Sequence, residues 1–284
     1  MNYSNESLKE LIQAALREDI GTGDHSSLSC IDSHARGKAV LKIKENGILA
    51  GMEVARTIFG LQDPSSHFTS FKKDGDPMTA GELAFEVEAH VRTLLGCERL
   101  VLNCMQRMSG IATLTSQYTT LLEGKHTRLL DTRKTTPNFR LLEKEAVRIG
   151  GGTNHRFGLY DMIMLKDNHI DFCGGIIPAV EKAWNYVQEH QLGIRIEVET
   201  RSLDDVKAAL STGKVNVIML DNYSPELVYE AVQLINGQCE TEASGGINLQ
   251  NLVDYAATGV DFVSSGAIIH QARSLDLSLK ALIP

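Results

Sequence analysis

TRLLD, at residues 127–131, begins the stretch of sequence that decides the fold. It is a short apolar run, and further runs of this kind alternate with helix-like segments as far as residue 265. The later runs are MIMLK (162–166), IRIEVE (194–199), VNVIMLD (215–221), CETEA (239–243) and DFVSS (261–265). The segments between them carry apolar residues at helical spacing, as in PNFRLLEKEAVRIGG (137–151) and GIIPAVEKAWNYVQEH (175–190). Strand–helix alternation on this scale predicts a parallel sheet, either a barrel or a doubly wound sheet.

The ends of the apolar runs distinguish these two architectures. Most of the runs finish on a titratable side chain, namely Asp131, Lys166, Glu199, Asp221 and Glu242. A barrel brings the C-terminal ends of many strands to one mouth, whereas an open sheet uses mainly the strands beside its switch point. The pattern therefore favours an α/β barrel. The number of runs indicates fewer than eight strands, and NHRFGLY (154–160) is a candidate for one more short strand.

The first 110 residues follow a different pattern. SLKELIQAALREDI (7–20) has the spacing of an amphipathic helix, and KAVLKIKENGILAG (38–51) and ELAFEVEAHV (82–91) alternate as strands do. We expect a helix around Thr57 between these strands and a long helical region over Cys97–Leu122. These segments predict an α+β domain ahead of the barrel.

Composition excludes several classes of function. The chain has 284 residues and a formal net charge of -8, so it should repel nucleic acid and anionic membranes. No apolar run approaches the roughly 20 residues that span a bilayer, and the polar N-terminus lacks the apolar core of a signal peptide. The five cysteines are scattered without a C-x-x-C pair, which favours neither a zinc site nor a disulfide framework. We therefore expect a cytoplasmic enzyme.

Basic side chains are concentrated between residues 131 and 169. Arg133 and Lys134 follow the first strand directly, and His155 and Arg156 follow three consecutive glycines. An arginine can hold a carboxylate through two parallel hydrogen bonds, so these clusters point to small anionic substrates. Lys166 leaves three interpretations open: a cation for an anion, a Schiff-base nucleophile, or a lysine that extends to solvent. The Arg133–Lys134 pair by itself could equally be a solvated turn.

Acidic and glycine-rich strand ends complete the candidate site. Glu197 and Glu199 face the same side of one strand, with Glu199 nearer its end, and Asp221 closes the next strand. Such carboxylates can bind Mg2+ or ribose hydroxyls and stabilise a cationic transition state, although they could also pair with lysines. Two glycine turns that follow late strands are candidates for phosphate binding through backbone N–H groups, Ser244-Gly245-Gly246 and Ser265-Gly266-Ala267.

Six strings of residues carry a resemblance to a known family. They are DTRKTTP (131–137), EKEAVRIGGGTNHRFGLYDMIMLKDNHI (143–170), EVE (197–199), MLDN (219–222), EASGGI (242–247) and SSGAIIH (264–270). In these strings and their order the chain resembles the quinolinate phosphoribosyltransferases. The resemblance implies transfer of phosphoribose from phosphoribosyl pyrophosphate (PRPP) to quinolinate with decarboxylation. The products would be nicotinate mononucleotide, pyrophosphate and CO2, in de novo NAD biosynthesis.

The resemblance also implies an architecture and an assembly. It implies an N-terminal α/β sandwich domain over residues 1–110, followed by an incomplete α/β barrel over 111–270. Residues 271–284 would pack back on the first domain. The active site would be shared between the subunits of a homodimer, which could assemble further into a hexamer, and Arg99 would reach into the neighbour's site. Without the resemblance, Arg99 is an ordinary arginine on a helix surface.

The family's residue roles transfer to matching positions of this chain. The quinolinate-binding group would be Arg99, Thr132, Arg133, His155, Arg156 and Lys166. Lys134 would face the pyrophosphate end of PRPP, and Glu199 and Asp221 would lie near the ribose and Mg2+, the implied cofactor. Lys134, Lys166, Glu199 and Asp221 would be catalytic. The phosphate would be held by Ser244, Gly245, Gly246, Ser265, Gly266, Ala267 and His270.

Three other functions compete with this one. A barrel lyase or aldolase would use Lys166 as a Schiff base, but the neighbouring arginines favour anion binding. A related pyrophosphorylase-like protein linked to molybdenum transport is disfavoured by the intact strings TNHR (153–156) and LKDNH (165–169). A non-catalytic anion-binding module is disfavoured by Glu199 and Asp221, because a pure anion receptor gains nothing from carboxylates at its mouth.

Overall fold

The computed structural model describes residues 5–282, which divide into two compact units. The first unit takes the chain up to Ser116, then Thr135–Gly151, and then the chain from Ile268 onward. The second unit consists of Gln117–Lys134 and Gly152–Ala267. The segment 135–151, which lies inside the predicted barrel range, therefore packs within the first unit.

The helices and strands follow one another in two patterns, one in the N-terminal part of the chain and a regular strand–helix alternation in the remainder. The N-terminal part forms α1 (Asn5–Ile20), α2 (His25–Cys30), β1 (Arg36–Ile43), β2 (Gly47–Ile48), α3 (Met52–Gln62), β3 (His67–Ser70), β4 (Pro77–Met78), β5 (Leu83–His90) and α4 (Val91–Leu121). The remainder forms β6 (Arg128–Leu130), α5 (Arg140–Ile149), β7 (Met162–Leu165), α6 (Asp167–Cys173), α7 (Ile176–Glu189), β8 (Arg195–Thr200), α8 (Leu203–Ser211), β9 (Val217–Asp221), α9 (Pro225–Ile235), β10 (Glu240–Ser244), α10 (Leu252–Ala256), β11 (Phe262–Ser264), α11 (Ala267–His270) and β12 (Leu277–Leu282).

The first unit is built on an antiparallel sheet in the order β12-β1-β5-β3. Strand β12, near the end of the chain, pairs with β1 along its full length. The apolar side chains of β1 and β5 alternate toward a core in which the rings of Phe59 and Phe85 lie 6.3 Å apart, with Phe68 4.4 Å from Phe85. Among the described residues, no helix has both the length and the apolar character needed to cross a membrane.

An ion pair ties three segments of the first unit together. Glu143 on α5 is fully buried and accepts two hydrogen bonds from Arg107 on α4, at 2.9 and 3.0 Å. Arg107 also donates to the carbonyls of Ile269 (2.9 Å) and Ala272 (2.6 Å). The second carboxylate oxygen of Glu143 accepts the backbone N–H of Thr136 at 2.8 Å. The buried charge is therefore balanced and almost completely hydrogen-bonded, as burial requires.

The second unit is a six-stranded parallel sheet in the order β6-β11-β10-β9-β8-β7. Strands β7 to β11 follow one another without a reversal, so the sheet has no switch point. The last strand of the series, β11, pairs with the first, β6, as closure into a barrel requires. Within the described residues no strand pairing joins β6 to β7. The prediction of an incomplete α/β barrel preceded by an α/β domain is confirmed.

A loop, not a seventh strand, connects α5 to β7. It is joined to β6 by a single bridge, in which the N–H of Thr153 donates to the carbonyl of Leu129 at 2.8 Å. Beyond it, the amides of Phe157 and Gly158 donate to the carboxylate of Asp161, at 2.6 and 2.9 Å. The predicted strand over 154–160 is wrong, because side-chain carboxylates bind the amides that a strand partner would have bound.

Candidate active site

A cavity of about 450 Å3 opens where the strands of the barrel end. All of its lining residues belong to the second unit. They come from the strands β7 to β11 and from the loops that follow β6, precede β7 and follow β7: Asp131, Thr132, Arg133, Lys134, His155, Arg156, Met164, Lys166, Asp167, Glu199, Met219, Asp221, Glu242, Ser244 and Ser264. The structure thus brings together the three basic clusters and the acidic strand ends that the sequence singles out.

Arg133 and Arg156 form a positively charged side of this cavity. Burial and the charge of Arg133 both lower the pKa of Arg156. Arg156 makes only weak contacts, to the carbonyl of Met162 (3.3 Å) and the sulfur of Met164 (3.4 Å). No carboxylate in the described part of the chain forms an ion pair with Arg156. Two repelling guanidinium groups in a half-buried cavity are stabilised by a bound anion.

Glu199 and Asp221 are acidic strand ends of the same cavity, and the charge of Lys166 reaches both. Burial raises the pKa of Glu199 and of Asp221, repulsion from Asp221 adds to the rise at Glu199, and the charge of Lys166 opposes it at both. His169 accepts the backbone N–H of Lys166 at 3.0 Å. His169 therefore helps to orient the turn from β7 into α6.

A metal ion would be stabilised by this carboxylate pair. Glu199 and Asp221 end neighbouring strands, and each is only partly exposed. Their mutual repulsion would be relieved by a hard divalent cation, which prefers oxygen ligands. The chemistry of the donor set therefore fits Mg2+.

Asp131 has a structural role that the sequence does not reveal. Its side chain is fully buried and accepts from the side-chain amide of Asn154 (2.7 Å) and from the backbone N–H of His155 (2.8 Å). Burying a carboxylate is costly unless donors satisfy it. Asp131 is therefore used to hold the loop before β7 against the end of β6.

The ring of His155 points into the barrel. Its Nε2 lies 3.0 Å from an oxygen of Glu197 and 3.2 Å from an oxygen of Glu242. Both carboxyls are buried, and burial together with the charge of Glu242 raises the pKa of Glu197. The ligand atoms of these three residues lie within 4.8 Å of one another. The sequence alone connects neither glutamate with His155.

The glycine turns differ in what they offer a phosphate. Ser244 lines the cavity, and Gly245 follows with a φ of 95°. A Cβ on Gly245 would lie 2.2 Å from the side-chain oxygen of Asn222, so only glycine fits there. Ser265 is buried and donates its hydroxyl to the carbonyl of Ile247 at 2.9 Å. Apart from Ser244, the predicted phosphate-binding residues of these two turns do not line the cavity: Gly245, Gly246, Ser265, Gly266 and Ala267.

Arg99 and His270 belong to the first unit, and both are exposed. Arg99 lies on α4 and His270 ends α11. Neither is among the residues that line the cavity. Their assignment to the site therefore remains a prediction from resemblance.

The chain matches two family models that together span most of it. The quinolinate phosphoribosyl transferase N-terminal domain matches residues 24–109, and the C-terminal domain matches residues 111–280. The probable nicotinate-nucleotide pyrophosphorylase [carboxylating] of Bacillus subtilis (strain 168) is 43% identical over 272 residues, covering 96% of this chain and 92% of the relative. The crystal structure of NadC from Streptococcus pyogenes is similar with a TM-score of 0.91 and 42% identity, and the match covers 100% of both chains. The nicotinate-nucleotide pyrophosphorylase from Francisella tularensis gives a TM-score of 0.90 and 38% identity over 99% of this chain and 98% of that one.

Proposed function

Because the chain belongs to the quinolinate phosphoribosyltransferase family, we propose that the cavity of the barrel unit binds quinolinate beside PRPP. The protein is an enzyme that transfers phosphoribose from PRPP to quinolinate with decarboxylation, giving nicotinate mononucleotide, pyrophosphate and CO2. This reaction is a step of de novo NAD biosynthesis. The observation that supports this proposal is the charge of the cavity lining, which combines the guanidinium groups of Arg133 and Arg156 with the carboxylates of Glu199 and Asp221.

The quinolinate end of the cavity is its basic side. Arg133, Arg156 and Lys166 would hold the two carboxylates of the pyridine, with Thr132 and His155 beside them. Decarboxylation at the carbon next to the ring nitrogen leaves a carbanion, and these fixed cations offset the developing negative charge. The proton that replaces CO2 then adds to this carbon and completes nicotinate mononucleotide.

The sugar end of the cavity is its acidic side. Departure of pyrophosphate leaves positive charge on the anomeric carbon, which Glu199 and Asp221 would stabilise. Lys134, whose charge reaches Asp221, would neutralise the leaving pyrophosphate. Bound Mg2+ would supply further charge neutralisation for pyrophosphate. The phosphate of PRPP would rest on Ser244 and the turns that contain Gly245, Gly246, Ser265, Gly266 and Ala267, with His270 near.

The Schiff-base alternative receives no support from the surroundings of Lys166. A nucleophilic lysine needs a desolvated or cationic environment that lowers its pKa. Lys166 is exposed, and the charges that interact with it include the carboxylates of Glu199 and Asp221.

A direct assay tests the function. Purified protein is incubated with PRPP, Mg2+ and quinolinate labelled in the carboxylate beside the ring nitrogen, and nicotinate mononucleotide and labelled CO2 are followed. We expect both in equal amounts and little product when nicotinate replaces quinolinate. Equal use of nicotinate, or borohydride trapping of a carbonyl substrate on Lys166, would contradict the proposal.

The role of Asp221 in metal binding gives a second prediction. Asp221→Asn keeps the shape of the side chain but removes its charge, so the Mg2+ concentration for half-maximal activity should rise about tenfold, equivalent to about 1.4 kcal/mol. A Mg2+ titration of the initial rate measures this. Asp204→Asn, on a surface aspartate paired with Lys207, is the matched control. An unchanged Mg2+ requirement in Asp221→Asn would remove Asp221 from the metal site.

We further propose a homodimer in which Arg99 of one subunit completes the site of the other, in the cytoplasm. Arg99→Ala and Lys166→Ala should each be nearly inactive alone. Mixed and reassembled, they should recover about a quarter of wild-type activity, because half of the dimers then contain one intact site. No recovery in verified mixed dimers would show that Arg99 acts within its own subunit or not at all. The five free cysteines agree with a reducing compartment.

A further inference from the structure

Two buried glutamates meet the ring of His155 beneath the basic side of the cavity. Glu197 comes from β8 and Glu242 from β10, the strands on either side of β9. Their side chains are almost completely inaccessible to solvent, and one oxygen of each lies within 3.2 Å of Nε2 of His155. Two buried acids at this place require a reason, because each loses its hydration.

The other ring nitrogen of His155 is also occupied. Nδ1 accepts the backbone N–H of Arg156 at 2.7 Å, and this hydrogen bond needs a lone pair on Nδ1. Burial opposes a charge on the ring, whereas the two glutamates favour one and raise the pKa of His155. Because the hydrogen bond from the backbone N–H of Arg156 occupies the lone pair of Nδ1, we assign the ring proton to Nε2, which lies between the two glutamates. An Nε2 that carries a proton has no lone pair for a metal ion.

His155 is thereby fixed at three points. Its backbone N–H donates to Asp131, its Nδ1 accepts from the amide of Arg156, and its Nε2 faces Glu197 and Glu242. The contacts at Nδ1 and Nε2 together fix the position of the backbone N–H of Arg156, and so the point from which its side chain extends. Among the described residues, the guanidinium donates hydrogen bonds only to the carbonyl of Met162 and the sulfur of Met164, and both are long. The direction of Arg156 therefore depends on its backbone more than on its own partners.

The same residues also separate two spaces inside the barrel. His155, Arg156 and Glu242 line the cavity of about 450 Å3 and also a second one of about 230 Å3. The second cavity is lined by residues nearer the N-terminal ends of the strands, such as Arg128, Arg195 and Glu240. His155, Arg156 and Glu242 therefore form a thin partition between the two cavities and are not packed on both sides by other side chains. A partition with space on both sides needs defined hydrogen bonds to keep its position.

We propose that Glu197 and Glu242 are positioning residues for the acceptor substrate: through His155 they fix the backbone of Arg156 and so aim its guanidinium at a carboxylate in the cavity. The inference rests on the proposed function for the identity of that carboxylate, quinolinate. Glu197 does not line the cavity, and the side chain of Glu242, which does, is almost completely inaccessible to solvent. Their effect should appear in acceptor binding and not in the binding of PRPP.

Glutamine variants test this role with a built-in control. Glu197→Gln and Glu242→Gln keep the size of the side chain but remove the negative charge that faces Nε2 of His155. We expect the KM and the calorimetric Kd for quinolinate to rise about tenfold, whereas the KM for PRPP stays within about twofold. Glu240→Gln changes the same residue type two positions earlier on β10, where it pairs with Arg195 at the surface, and should leave both values unchanged. Equal loss for both substrates, or no change, would overturn the proposal.

A spectroscopic measurement on the wild-type protein does not depend on how the variants fold. Nitrogen-15 NMR of histidine-labelled enzyme, with His155→Gln to assign the signal, should show His155 protonated at Nε2 and unprotonated at Nδ1. In Glu242→Gln the signal should shift. A doubly protonated ring would overturn the assignment, and so would a stoichiometric metal that Glu242→Gln removes. An inactive wild-type enzyme would instead reject the proposed function, so the two failures are distinguishable.

Discussion

Replacing Arg133 or Lys166 by alanine is expected to lower kcat/KM for quinolinate by about 100- to 1000-fold, which corresponds to about 3–4 kcal/mol of lost transition-state stabilisation. The two side chains reach the cavity from the loops after β6 and β7. Each is a preorganised cation near the position where decarboxylation builds negative charge. Steady-state kinetics with varied quinolinate at saturating PRPP measures the loss.

The controls separate this effect from unfolding and from net charge. Arg201→Ala removes an arginine that pairs with Asp171 on the surface, and Lys207→Ala removes a lysine paired with Asp204. Both should keep nearly full activity, since exposed ion pairs contribute about 0–1 kcal/mol to stability. All four variants should have wild-type circular dichroism. Near-normal turnover by Arg133→Ala or Lys166→Ala would remove that residue from the site.

Replacing Glu143 by alanine is expected to destabilise the protein by about 3–5 kcal/mol, the usual cost of leaving one member of a buried ion pair without its partner. Glu143 is fully buried, and its loss strips Arg107 of two hydrogen bonds and the amide of Thr136 of one. Urea denaturation followed by tryptophan fluorescence and circular dichroism measures the change in the free energy of unfolding.

An exposed acid on another helix provides the comparison for Glu143. Glu53 pairs with Arg56 on α3 at 3.6 Å, and each side chain is nearly half exposed. Glu53→Ala should change the free energy of unfolding by less than about 0.5 kcal/mol. If Glu143→Ala unfolds at the same urea concentration as Glu53→Ala, the buried pair does not contribute as its geometry indicates.

The pattern of the sequence predicts the barrel and the chemistry of its strand ends better than it predicts how far inside the barrel each side chain lies. Alternation and strand ends are local signals, and they correctly place Lys166, Glu199 and Asp221 around the cavity. Glu242 carries the same signal, but β10 continues two residues further to Ser244, so its carboxylate lies inside the barrel. How far a strand extends depends on its neighbours, which the sequence of one strand does not contain.

Long-range partners account for what the sequence misses. The partners of Asp131 lie more than 20 positions away in the chain, and Glu242 is more than 80 positions from His155. No local spacing joins such residues. The stretch 154–160 is a candidate strand in the sequence, yet its amides are bound by carboxylates. Only the folded chain shows which of several carboxylates accepts the hydrogen bond of each amide.

The missing pairing between β6 and β7 has a consequence for how substrate preference can change. In a closed barrel the residues at that position would be held by main-chain hydrogen bonds, and a change there would disturb the sheet. Here the loop that presents Arg156 is held chiefly by the side chains of Asp131, Asp161 and the pair Glu197 and Glu242. Preference for a different carboxylic acid substrate can therefore be selected, in evolution or in the laboratory, by exchanging this loop together with the carboxylate side chains that hold it. The strands that contact the sugar can remain unchanged.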